Sequence, residues 1–345
     1  MAHQSLYRTY RPSTFAEVVG QPQVTGPLSE AIAAKKVGHA YLFAGSRGLG
    51  KTSVARIFAK ELGVSEKDLY EIDAASNNSV EDIRSLTEGV YTLPFESPYK
   101  LYILDEVHML SKAAWNAFLK TLEEPPSHAV FILATTDLEK VPETVQSRCQ
   151  VFEFKKPTIK VLAEVVTSVA KKEGYTLAPD ASELIAMLGE GSYRDATSIL
   201  QKVLAGAEGK KLARAEVESA TGAPRLERVH ELVAALAEAS RGKALTAISH
   251  VSKDGADMKL FLTLVLAALR TTLLIRYAPD LRKELEQELG ADEYTVLKGY
   301  ADEASSKLTH AVLLAFLTAS DRIRFAPIPE LPLELAVLDA IPDGR

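Results

Sequence analysis

The clearest chemistry in the chain is carried by the run Gly45-Ser46-Arg47-Gly48-Leu49-Gly50-Lys51-Thr52, followed by Ser53. It fits the GxxxxGK[ST] pattern and stands between an apolar run, AYLFAG, and the helix-forming stretch VARIFAKEL. Glycines let the backbone curl so that successive N–H groups face phosphate oxygens, helped by the helix N-terminus. Lys51 can then reach the β- and γ-phosphates of a nucleoside triphosphate, and Thr52 can ligate Mg²⁺. About 55 residues on, KLYILDEVHML puts Asp105 and Glu106 at the end of a second apolar run. Open α/β sheets place ligands at this edge. Asp105 would hold Mg²⁺ through water and Glu106 would polarise the attacking water.

Three further groups leave two readings open each. FILATT ends in Thr135-Thr136-Asp137, and the Thr135 hydroxyl either meets the γ-phosphate or its water, or caps the strand. Arg148, in QSRC, and Arg194, in GSYRDA, are either surface ion-pair residues or guanidinium forks for phosphate oxygens. His39 and His108 lack clustered partners at ligand spacing and read as structural. Cys149 has no nearby base and reads as packed against the sheet. Trp115 and Phe118, three apart, read as core contacts of one helix.

These groups need a frame. Five β-branched or apolar runs (AYLFAG, YEIDAA, KLYILDE, AVFILATT and QVFEF) alternate with helical segments between His39 and Pro157. Near-continuous apolar strands of this kind predict an α/β P-loop domain, a parallel sheet with helices on both faces. After Pro157 the strand signal disappears. The expected division is residues 1–157 as the nucleotide domain, 158–222 as a helical lid and 223–345 as an all-α domain. Within the lid, Pro179-Asp180 opens a helix with Asp180 as N-cap, and Gly189 and Gly191 mark the next break.

Composition sets bounds. Of 345 residues, 47% are hydrophobic and 25% charged, and the net charge is −6, so nucleic-acid contact must come from a local patch. One cysteine excludes an intrachain disulfide and a cysteine-built zinc site. The N-terminus lacks a secretory apolar region. The uncharged stretch from Leu260 to Leu269 is too short to span a bilayer and reads as a buried helix. No membrane association and a cytoplasmic location are expected.

The segments YRTYRPSTFAEVVGQ, FAGSRGLGKTSVAR, EIDAASNNSVEDIR, YILDEVHMLS, LKTLEEPP, ILATTDLEKVPETVQSRCQ and GSYRDA, in this order, resemble the bacterial DNA polymerase III gamma/tau family. The resemblance is dense over the first 200 residues or so and looser beyond. It implies an AAA+ domain, a helical lid and a helical collar for oligomerisation. It further implies an ATP-hydrolysing motor that joins delta- and delta-prime-type subunits and further copies of itself, opens a sliding clamp and loads it onto primer–template DNA. Rivals are another AAA+ replication or repair ATPase, or a largely structural clamp-loader subunit.

By the same resemblance, Arg148 matches an arginine finger for the neighbouring subunit's ATP, Arg194 the sensor-2 arginine and Thr135 sensor 1. Arg11, Pro12, Val18 and Val19 match the segment packed around adenine, and Asn77, Asn78, Arg84 and Lys120 fall in DNA-facing segments. The chain departs from the family in one place. Where relatives carry a four-cysteine zinc module, only KELGVSEKDLY is present, so ATP and Mg²⁺ are expected and zinc is not. The chain also stops at Arg345 without a Pro-rich tail, as in the short gamma form or a shortened version of a longer chain.

Overall fold

A computed structural model describes residues 5–289, 291–303 and 305–341. Contacts divide the chain into two units: residues 1–169 with 189–201, and residues 170–188 with 202–345.

The first unit starts with a short helix α1 (Leu6–Thr9) and α2 (Pro22–Ala33). Strands and helices then alternate: β1 (Ala40–Ala44), α3 (Lys51–Glu61), β2 (Leu69–Asp73), α4 (Val80–Val90), β3 (Lys100–Asp105), α5 (Lys112–Glu123), β4 (Ala129–Thr135), α6 (Glu143–Gln146) and β5 (Gln150–Glu153). All five strands are parallel, in the order β2-β3-β4-β1-β5. The expected runs and the expected sheet are both present. The central strands β1, β3 and β4 are buried almost throughout, whereas the edge strands β2 and β5 are largely exposed.

Two apolar layers sandwich the sheet. One holds Leu42, Leu104, Phe131 and Leu133 with Trp115 and Phe118 of α5. The other holds Tyr41, Phe43, Ile103 and Ile132 with Val54 and Phe58 of α3. Each fully buried Leu, Ile or Phe contributes roughly 1.5–3 kcal/mol, so the sheet edge that carries the candidate site rests on a stiff base. Register aligns that edge: Ala44 pairs with Thr135 and Asp73 with Asp105. Local signals set the helix starts. Ser79 and Asp82 form a reciprocal capping box at α4, and the Ser111 hydroxyl caps α5.

Beyond β5 come α7 (Ile159–Lys172), β6 (Thr176–Leu177), α8 (Pro179–Leu188), α9 (Tyr193–Ala205), β7 (Lys211–Leu212) and α10 (Arg214–Thr221). The segment 158–222, expected as a separate lid, is divided between the units, with the start of α9 grouped with the sheet. β6 and β7 form a parallel pair that the sequence reading missed, since two residues carry no periodicity. Pro179 rather than Asp180 opens α8, in keeping with the preference of Pro for a helix's first turn.

The second unit continues with α11 (Leu226–Ala237), α12 (Arg241–Lys253), α13 (Met258–Tyr277), α14 (Arg282–Leu289), α15 (Ala291–Asp302), α16 (His310–Arg322) and α17 (Leu331–Ala340). α13 is long and apolar enough to cross a bilayer. Yet Phe261, Leu262, Val265, Leu269 and Ile275 of α13 are buried in the helical core, and the Arg276 guanidinium donates to the carbonyls of Tyr300, Ala301 and Leu308.

Candidate active site

The loop after β1 is built to leave room. Gly45 and Gly48 adopt φ of 143° and 78°, left-handed values that favour glycine. A Cβ on Gly48 would lie 1.9 Å from the Ser192 hydroxyl, and one on Gly45 would lie 2.7 Å from the Phe154 carbonyl oxygen. The loop is therefore pressed between β5 and the start of α9. The Tyr193 N–H donates to the Gly48 carbonyl at 3.1 Å, and the Gly45 N–H to the Thr135 carbonyl at 3.2 Å.

Four expected side chains converge at this edge. Lys51 is buried, and its Nζ donates to the carbonyls of Gly45 (2.6 Å) and Ser46 (3.0 Å). Burial pushes its pKa down, Glu106 and Asp105 oppose that, and Arg194 adds to the lowering. The Thr52 hydroxyl donates to Asp105 Oδ2 at 2.8 Å, and the Glu106 N–H donates to Asp105 Oδ1 at 3.0 Å. A hydroxyl and a carboxylate side by side are oxygen donors of the kind Mg²⁺ takes. Among the described residues, no group of three or more His, Cys, Asp or Glu side chains is placed to hold a metal by itself.

A cleft of about 900 Å³ opens over the loop, lined by Arg47, Gly48, Leu49, Gly50, Lys51, Thr52 and Ser53, and by Asp105 and Glu106. Arg11, Pro12, Val18 and Val19 line its other wall, and Arg194 reaches it from α9. The Arg11 Nε–H donates to the Ser53 hydroxyl at 2.8 Å. Desolvation, then the neighbouring Arg56, lowers the Arg11 pKa. The Arg194 guanidinium carbon lies 5.6 Å from the centre of the Tyr7 ring. The Tyr193 hydroxyl donates to the Val19 carbonyl at 2.8 Å. Tyr7, Tyr193 and Arg56 also line the cleft; sequence spacing gave no sign of them.

The two threonines at the end of β4 divide their work. Thr135 is fully buried; its hydroxyl donates to the Asp137 carbonyl and accepts the Asp137 N–H, both at 3.0 Å. The next residue, Thr136, donates to Glu106 Oε2 at 3.0 Å. The hydroxyl in contact with the candidate base is thus that of Thr136, while the Thr135 hydroxyl caps the end of β4. Thr135 meets His108 Nδ1 at 3.1 Å.

Arg148 lies apart from the cleft lining. Its Nη2 donates to Glu123 Oε1 and its Nη1 to the Thr144 carbonyl, each at 2.6 Å. Asn77, Asn78, Arg84 and Lys120 fall on α4, the loop before it and the neighbouring α5. Asn77 Nδ2 caps the Asp73 carbonyl at 3.0 Å, while Asn78, Arg84 and Lys120 are exposed. Cys149 is partly buried and packs on the sheet core, which pushes its thiol up to about 12.

Comparison with known proteins completes the description. The family model of the DNA polymerase III delta subunit matches residues 63–158, and that of domain III of the DNA polymerase III gamma and tau subunits matches residues 212–342. The DNA polymerase III subunit gamma of Buchnera aphidicola is 31% identical, over 99% of this chain and 99% of its own length. The chain belongs to the DNA polymerase III gamma/tau family. The tau subunit of Bacillus subtilis is 34% identical over 98% of this chain, and that of Escherichia coli 37% identical over 81%. The chain spans 63% and 46% of those two relatives' lengths. Among solved structures, the Thermotoga maritima RuvB Holliday junction branch migration motor superposes with a TM-score of 0.53 at 22% identity, over 84% of this chain and 90% of that one. That likeness shows the fold alone: a parallel α/β sheet domain followed by helices.

Proposed function

We propose that this chain is the ATP-hydrolysing motor of a bacterial clamp loader, opening a sliding clamp and placing it on primer–template DNA. The supporting observation is the bonded pair Thr52–Asp105 beside Lys51 and Glu106, at a loop with glycine at each of its positive-φ positions, 45, 48 and 50. A purely structural relative would have no need for all four.

In this reading the N–H groups of Gly45 to Ser53 cradle the triphosphate. Lys51 exchanges the loop carbonyls for phosphate oxygens, and Arg47 and Arg194 add positive charge at the cleft. Arg11, Pro12, Val18 and Val19 enclose the base. Thr52 and Asp105 would hold Mg²⁺, which supplies charge neutralisation for the departing phosphate. Glu106 takes a proton from the attacking water and Thr136 orients its carboxylate, while Thr135 fixes the strand end next to it. Arg148 completes the site of an adjacent subunit. Asn77, Asn78, Arg84 and Lys120 face the DNA backbone, where a few donors and cations can track phosphates without net basic charge.

Delta- and delta-prime-type subunits and further copies of this chain are the proposed partners, in the cytoplasm. The helical residues 223–345 form the assembly collar, with 158–222 as a lid; no resident zinc takes part. Leu314 and Leu317 of α16, with Leu335 and Leu338 of α17, are exposed large apolar side chains suited to a collar contact.

The deciding experiment measures ATP turnover of the assembled complex with clamp and primed DNA. Turnover should rise on adding both and vanish with Lys51→Ala, which should also abolish ATP binding. Full ATP affinity in that variant would remove the phosphate-site assignment.

A further inference from the structure

Glu106 has an unusual starting point for a base. Its backbone is left-handed, with φ 50° and ψ 44°, so its side chain leaves the end of β3 in a direction that no regular strand provides. Something must aim the carboxylate. Thr136 supplies one donor to Oε2. The second group facing that oxygen is His108, whose Nδ1 lies 3.4 Å from Glu106 Oε2 and 3.1 Å from Thr135 Oγ1.

The bonding of Thr135 bears on which way His108 points its hydrogen. A threonine hydroxyl has one hydrogen and two lone pairs. That hydrogen goes to the Asp137 carbonyl, and one lone pair accepts the Asp137 N–H. With the hydrogen on Asp137, a lone pair faces His108 Nδ1, and the Nδ1–H tautomer of the neutral ring completes this set of bonds. The same N–H then turns its positive end toward Glu106 Oε2. At 3.4 Å this is a directed dipole contact more than a strong hydrogen bond, and the His108 side chain is 14% exposed, so water screens it little.

We propose that His108 is a positioning residue for ATP hydrolysis. As the Nδ1–H tautomer it ties the Glu106 carboxylate to Thr135 and so to the end of β4. Glu106, Thr135 and Thr136 are thereby held as one unit. The inference rests on Glu106 being the base, and goes beyond it by naming what aims it.

Two substitutions separate positioning from packing. The amide nitrogen of Asn can occupy the place of Nδ1, whereas that of Gln falls nearer Nε2. In the assembled, DNA-stimulated complex, His108→Gln and His108→Ala should lower kcat about tenfold, the effect of losing one hydrogen bond's worth of orientation. ATP affinity and KM should stay within about twofold, and His108→Asn should retain kcat to within about threefold. Equal losses in the Asn and Gln variants, or a KM that moves with kcat, would overturn the proposal.

A second readout needs no turnover. In the ¹⁵N-histidine spectrum of the nucleotide-free chain, His108 should carry its hydrogen on Nδ1, with a resonance that shifts in Glu106→Gln. An Nε2–H tautomer, or a resonance blind to that change, overturns the proposal as well. Failure of the base assignment would look different. Glu106→Gln would then keep stimulated turnover while the tautomer remained as stated.

Discussion

Two sets of polar and charged side chains in the α/β unit are built in opposite ways. In the cleft, Lys51, Thr52, Asp105 and Glu106 are bonded to the loop or to each other, and Lys51 is 6% exposed. Arg148 instead sits at the surface, its side chain 34% exposed, paired with a Glu123 that is 48% exposed. An ion pair so open to water is worth at most about 1 kcal/mol, so exchanging it for a phosphate costs little. In the proposed reading the first set serves the chain's own nucleotide. The second is held loosely, as suits a group offered to another molecule.

The largest expected effect tests the loosely held side. Arg148→Ala should lower stimulated turnover of the assembled complex by about 10³–10⁵, as arginine fingers do elsewhere, while leaving the ATP affinity of the isolated chain unchanged. A change in that affinity would place Arg148 in its own chain's site and erase the contrast. Next comes the wired side. Glu106→Gln should cost about 10²–10⁴ in turnover, the range of general-base catalysis, with ATP still bound, in the isolated chain as well as the complex. A loss confined to the complex would mean that Glu106 also depends on the neighbour.

The smallest effect sharpens the contrast by supplying a carboxylate with no chemistry. Asp68 is fully buried and accepts the N–H groups of Phe95, Glu96 and Ser97. Burial alone would raise its pKa. The N–H groups of Glu96 and Phe95, with the side chain and N–H of Ser97, outweigh burial and bring it from 3.8 to about 2. A carboxyl depressed on folding adds stability above its unfolded pKa, and that stability is lost as pH falls toward 2. Asp68→Asn should therefore cost about 2 kcal/mol near neutrality, and less as the medium is acidified. Chemical denaturation at two pH values reads this out, and turnover per folded molecule should not change. A turnover loss would show that the loop Asp68 holds reaches the site.

Much of this was legible in the chain itself. The apolar runs that become β1, β3 and β4 are buried on both faces, so their composition alone marks them. The loop glycines and Lys51 follow one another directly, and Asp105 and Glu106 end a strand. What stayed hidden depends on register and on distance along the chain. Thr135 ends β4 and Thr136 follows it, and nothing in their spacing says which of the two neighbours bonds Glu106. Glu123 and Arg148 are 25 residues apart, and Asp68 meets its partners across 27 to 29; no local pattern announces such pairs. Charged Lys100 and Asp68 are buried against the ordinary preference, each because backbone or hydroxyl groups meet it.

Glu106 also bears on how such a protein can be improved. Lys35, Glu106, Glu190 and Ala239 are the described non-glycine residues with positive φ, and of these Glu106 lines the cleft. Holding a side chain there costs about 1–3 kcal/mol. Glycine at 106 would relax the backbone and delete the carboxylate in one step. Screens that reward heat resistance alone would therefore favour the loss of this side chain, and, with Glu106 as the proposed base, screens that reward turnover would forbid it. Position 106 is where robustness and work pull the sequence in opposite directions.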